Sequence, residues 1–119
     1  MAWMTIKRGS VHLANLNSAK GTEAGKTRPC LVIQNDLLNE GGHPSTTILP
    51  MTSRLVDGAL PLRFTIGARD KLRADSQVLI DQPRAIDNRR FASDELTVLT
   101  QQELAQVEEC LKIVLGLHH

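Results

Sequence analysis

The chain has 119 residues, 41% hydrophobic and 23% charged, with a net charge of +1. That is enough for one domain with a real core and too little for two. No apolar run is long enough to span a membrane, the N-terminus lacks the apolar core of a signal peptide, and two cysteines make neither a disulfide framework nor a zinc site, so a cytoplasmic globular protein is expected.

Lys7-Arg8-Gly9 leads into a first strand over 10–16, with Val11 and Leu13 on one side and His12, Ala14 and Leu16 on the other. Residues 17–27 form a long polar loop, in which Gly21 and Gly25 permit backbone angles closed to other residues. Pro29 biases Arg28 to an extended conformation, and Cys30 to Gln34 read as a short buried strand. Arg28 therefore sits at the base of a strand beside a mobile loop that also carries Lys26, an arrangement suited to gripping a phosphate. The plain alternative is a surface arginine at a strand end.

Asn35 or Asp36 caps a helical turn through residues 37–39, which Gly41-Gly42 ends. Thr46 to Thr52 is a third strand whose Pro50 marks an edge or a bulge. It ends on Thr52-Ser53-Arg54, two hydroxyls and a cation in a row. Leu62, Phe64 and Ile66 alternate with Arg63 and Thr65, the pattern of a half-buried fourth strand. Gln77 to Asp81 is a fifth, stopping at Asp81-Gln82-Pro83-Arg84, and 84–87 is a short sixth. Thr100 to Glu103 is a capping box that opens a helix. Leu104, Val107, Leu111, Val114 and Leu115 share one face of it, with Glu108, Glu109 and Lys112 on the other. Cys30 and Cys110 read as small reduced hydrophobes, and His118-His119 as a tail. Five or six short strands with one terminal helix predict a mainly β fold, a small curled barrel closed off by the C-terminal helix.

The small net charge argues mildly against a nucleic-acid binder, but its distribution does not. Residues 1–28 carry five cations against Glu23, residues 63–90 seven cations against four aspartates, and residues 91–119 Lys112 against five acids. This asymmetry fits a basic face on the barrel and an acidic helix elsewhere. Chance clustering on a solvated surface is the other reading.

Several stretches, in this order and spacing, carry a resemblance: Lys7-Arg8-Gly9, Lys20-Gly21-Thr22-Glu23, Thr27-Arg28-Pro29, Leu31-Val32-Ile33, Leu49-Pro50-Met51-Thr52, and Asp81-Gln82-Pro83-Arg84-Ala85-Ile86-Asp87. Over nearly its whole length the chain resembles the MazF/PemK (Kid-like) family of toxin endoribonucleases. The resemblance implies an SH3-like small β-barrel, a homodimer, and metal-independent cleavage of single-stranded RNA without a cofactor. It also implies a cognate MazE-like antitoxin that blocks the RNA groove. Cleavage of this kind uses the neighbouring 2′-hydroxyl as nucleophile and leaves a 2′,3′-cyclic phosphate and a 5′-hydroxyl.

By the same resemblance Arg28 matches the catalytic arginine and Thr52 the active-site threonine. Asp81 matches an aspartate that acts as base in the Kid-like branch, but Leu79 stands where that branch has its acid arginine. Asp81 is then expected either in catalysis or as a charge-assisted partner of Arg28 or Gln82. Glu23 matches a loop acid that orients Arg28 or touches a base, and Gln82 is expected to read a base edge. Lys26, Ser53 and Arg54 are expected to line the groove. Ser10 replaces an acid found in many members. With only 3% aromatic residues, base recognition would lean on hydrogen bonds and shape rather than stacking. Two other readings are a gyrase poison of the CcdB type, which needs no phosphate-facing arginine, and a non-catalytic RNA-binding barrel.

Overall fold

Short apolar segments separated by tight turns pair with their neighbours in antiparallel fashion, because a buried backbone must place every N–H and C=O. The computed structural model describes residues 5–117, so the expected tail at His118 and His119 lies outside the described residues. The elements run β1 (Ser10–Asn15), β2 (Thr27–Val32), α1 (Asp36–Glu40), β3 (Ser45–Thr52), β4 (Arg63–Ile66), β5 (Ser76–Leu79), β6 (Arg84–Asp87), a 3-10 turn (Asn88–Arg90), β7 (Thr97–Val98) and α2 (Gln101–Leu115). All pairings are antiparallel, in the order β4-β5-β3-β2-β1-β7, and β6 pairs with β3 off that path.

β3 organises the sheet. Its first half pairs with β6 over Ser45 to Ile48, and its end pairs with β5 at Met51 and Thr52. Pro50 falls in the gap between these two neighbours and lies opposite Cys30 of β2. The proline thus marks an exchange of partners within a central strand rather than an edge. β2 begins at Thr27, three residues before its expected start, because β1 pairs along it through Leu13↔Pro29, Ala14↔Arg28 and Asn15↔Thr27. Arg28 is therefore part of the ladder, not a residue at its foot.

Successive strand residues enter different cores, as a period of two requires. Val11, Leu31, Leu49, Met51, Val78 and Ile80 meet Val107 and Cys110 of α2, with Leu104, Leu111 and Val114 packed partly against them. Ala14, Leu16, Cys30, Val32, Ile48, Leu79, Ile86 and Phe91 form the second cluster. Leu115 departs from expectation: packing ends at Val114, and Leu115 in the last turn is 50% exposed. Leu62, just before β4, is also half exposed. The capping box at Thr100 and Glu103 forms in both directions.

The ends of the curled sheet are joined through the loop after β4. Lys71 N–H donates to the Leu96 carbonyl (2.9 Å), and Arg69 donates to Thr97 Oγ1 (3.2 Å) and the Val98 carbonyl (3.1 Å). Arg69 also grips both carboxylate oxygens of Glu103 at 2.8 and 2.7 Å, tying that loop to α2. This closure leaves a groove open on the side where β2 and β3 expose their ends.

Candidate active site

Arg28 is placed by β2 and steered by two carbonyls. Its Nε donates to the Gly25 carbonyl at 2.8 Å and its Nη1 to the Met51 carbonyl at 3.4 Å. Nη2 makes no protein hydrogen bond among the described residues. Met51 immediately precedes Thr52, so the guanidinium reaches the strand end that carries the threonine. Thr52 Oγ1 accepts the Arg54 N–H at 3.1 Å, which holds the side chain while leaving its own proton free to donate. Both residues line one groove of about 1040 Å³.

The wall of that groove is basic. Lys26, Arg28, Arg54, Arg63, Lys71 and Arg73 line it, against Glu23 as the one carboxylate among the described lining residues. Ser53 also lines it, at the exposed end of β3. Arg63, Lys71 and Arg73 are groove residues that sequence reasoning did not single out. Their signal was the cation surplus of residues 63–90; what was missing was the curl that carries the 71–74 loop across to face β2.

Three expected site residues have surroundings that the sequence did not show. Glu23 does not orient Arg28: its Oε1 accepts the Lys20 N–H at 2.6 Å within its own turn, and Arg28 is held by carbonyls instead. Gln82 has both ends of its amide engaged, Oε1 accepting from Ala24 N–H (2.8 Å) and Nε2 donating to the Thr22 carbonyl (3.2 Å). It closes onto the β1–β2 loop, and it also lines the groove, where its second amide hydrogen remains available to a base. Asp81 sits exposed in the turn after β5, outside the groove lining, and bonds neither Arg28 nor Gln82. The strand ends at Leu79 instead of running to Asp81, and that places the carboxylate in the turn.

The β1–β2 loop is only partly as expected. Gly21 takes a left-handed φ of +59°, but so does the non-glycine Lys26 at +65°. Gly25 has a different requirement, since a Cβ there would stand 3.1 Å from Ala19 Cβ. Beneath Arg28, burial pushes the Cys30 thiol up to about 12, so it stays protonated and is no nucleophile.

Residues 7–115 match the model of PemK-like, MazF-like toxins of type II toxin–antitoxin systems. The chain belongs to the PemK/MazF toxin family. It is 37% identical over 115 residues to endoribonuclease EndoA of Bacillus subtilis (strain 168), covering 96% of this chain and 97% of that one. The crystal structure of MazF from Deinococcus radiodurans superposes with a TM-score of 0.78 at 28% identity, covering 94% of this chain and 97% of the other. A MazE–MazF complex from the same organism matches with a TM-score of 0.72 at 25% identity, over 94% and 96% of the two chains. The half-barrel sheet with its C-terminal helix is thus the fold of this toxin family.

Proposed function

We propose that the basic groove binds single-stranded RNA and that Arg28 and Thr52 cut it by attack of the substrate's own 2′-hydroxyl. Membership of the PemK/MazF family and the likeness to EndoA make this chain an RNA-cleaving toxin of a toxin–antitoxin system. The observation that carries the assignment of residues is unspent donors. Arg28 Nη2 and the Thr52 hydroxyl proton have no acceptor among the described residues, yet both side chains are fixed through their other atoms in one cation-lined groove.

A phosphodiester in the groove would place its non-bridging oxygens against these donors. Charge grows on those oxygens as the 2′-oxygen bonds to phosphorus, and a preorganised guanidinium and hydroxyl stabilise it most at that point. Glu23 supplies the one carboxylate in the described lining and is the acceptor available for the 2′-hydroxyl proton. The P–O5′ bond then breaks, the 5′-oxygen takes a proton from water, and a 2′,3′-cyclic phosphate remains. Lys26, Ser53 and Arg54 hold flanking phosphates and bases.

The partners follow at the same level. Family membership and the MazE–MazF complexes among its structural relatives support an antitoxin partner, which we take to be of MazE type and to cover the groove. We take the working unit to be a homodimer.

Incubating the purified protein with a long single-stranded RNA in EDTA tests the reading. Discrete cuts ending in cyclic phosphate are expected, with none in the corresponding DNA. Arg28→Ala should lower the cleavage rate by about 10²–10³ without loss of folding. Full activity in that variant removes Arg28 from the mechanism, and RNA retained without products makes the protein a binding barrel.

A further inference from the structure

Two glutamines fasten segments near the groove, one within β5 and one in the turn beyond it. Gln77 on β5 accepts the Val56 N–H at 3.0 Å and donates to the Val56 carbonyl at 3.0 Å, pinning the segment that follows β3. Gln82, in the turn beyond β5, accepts from Ala24 N–H at 2.8 Å and donates to the Thr22 carbonyl at 3.2 Å, pinning the β1–β2 loop. The residue after Ala24 is Gly25, whose carbonyl holds Arg28 Nε at 2.8 Å.

We propose that Gln82 is a positioning residue: by fastening Thr22 and Ala24 it fixes the Gly25 carbonyl, and through it the guanidinium of Arg28. The inference rests on the ribonuclease reading above. Gln82 is well placed for this work. Its own N–H donates to the Leu79 carbonyl at 3.2 Å, and fully buried Ile80 anchors the turn it stands in. The loop has little else to hold it. Its other ties are Leu16 N–H to the Lys26 carbonyl at 2.8 Å, Arg90 Nη1 to the Asn17 carbonyl at 3.3 Å, Asn17 N–H to Asn15 Oδ1 at 2.9 Å and a local turn from Lys20 to Glu23, while Ala24 buries its methyl group in the second core. Without the glutamine, the Ala24 amide and the Thr22 carbonyl would turn to water, and the segment ending in Gly25 would lose its register against β5. A misplaced guanidinium loses transition-state stabilisation while the groove keeps its charge and its affinity.

The test is Gln82→Met, which keeps the length of the side chain and removes both hydrogen bonds. Amide exchange is followed in the RNA-free protein beside cleavage kinetics. The Ala24 amide, which loses its acceptor, should exchange at least about tenfold faster, while the Gln77-held amide of Val56 keeps its protection. The value of kcat should fall about ten- to a hundredfold with KM changed less than about twofold. Gln82→Glu keeps the acceptor for Ala24 and loses the donor to Thr22, so it should fall between wild type and Gln82→Met. It carries the test alone if the methionine variant does not fold. Unchanged exchange with reduced cleavage would mean that Gln82 touches RNA directly and would overturn the proposal. Faster exchange with unchanged kcat would show a loop clamp that does not reach Arg28, and overturns it equally. Wild-type protein that cuts no RNA defeats the ribonuclease reading instead, while the exchange data still decide whether the clamp exists.

Discussion

Asp81 and Thr52 show how placement separates residues that looked alike in the sequence. Along the chain both read as strand ends in polar clusters, yet Thr52 lines the groove beside Arg28 and Asp81 stands exposed in a turn outside it. Thr52→Val keeps the shape and removes the free hydroxyl proton. Losing one neutral donor to a charged oxygen should slow cleavage by about ten- to a hundredfold. Asp81→Asn should leave the rate within about twofold, since its carboxylate is exposed outside the groove lining and solvent screens an exposed charge. Single-turnover cleavage of one RNA by both variants checks the pair, and a severe loss in Asp81→Asn would return that carboxylate to the chemistry.

At the scale of elements, α2 is fastened at its start by the grip of Arg69 on Glu103. The Arg69 guanidinium, bonded to both oxygens, lowers the Glu103 carboxyl from 4.5 to about 2. A carboxyl depressed on folding stabilises the folded chain fully above its unfolded pKa. That contribution fades as pH falls from about 4.5 towards 2. Glu103→Gln should therefore cost about 2 kcal/mol at neutral pH, the size of a charge-assisted hydrogen bond, and little at the acid end. Urea unfolding at pH 7 and pH 3 measures it; a cost equal at both values would mean the ion pair contributes nothing.

For the whole molecule, the groove's cations act together as a field. Each phosphate neutralised on a single strand contributes a slope of about −0.7 in log K against log salt. Arg73→Ala should weaken RNA binding across sequences and flatten that slope by roughly one such step. A change confined to one recognition sequence would make Arg73 a base reader instead. Light scattering on the eluting protein at micromolar concentration should give twice the 13.1 kDa chain mass if the homodimer is right. A mass of one chain would place every groove residue, and the whole activity, within a single protomer.

The strands, the capped helix and the reduced cysteines were legible along the chain. They depend on spacing, on the period of two and on turn and cap residues, all local in sequence. The start of β2 at Thr27, the partner exchange at Pro50, the outward Leu115 and the two-residue strand β7 were decided only by pairing and packing between distant segments. The site divides the same way. The resemblance offered Arg28 and Thr52, but the curl of the sheet brought Arg63, Lys71 and Arg73 into the groove lining, left Asp81 outside it, and turned Gln82 onto the β1–β2 loop. A hydrogen bond from residue 82 to residue 24 has no local signature, because it exists only once the strands between them have closed.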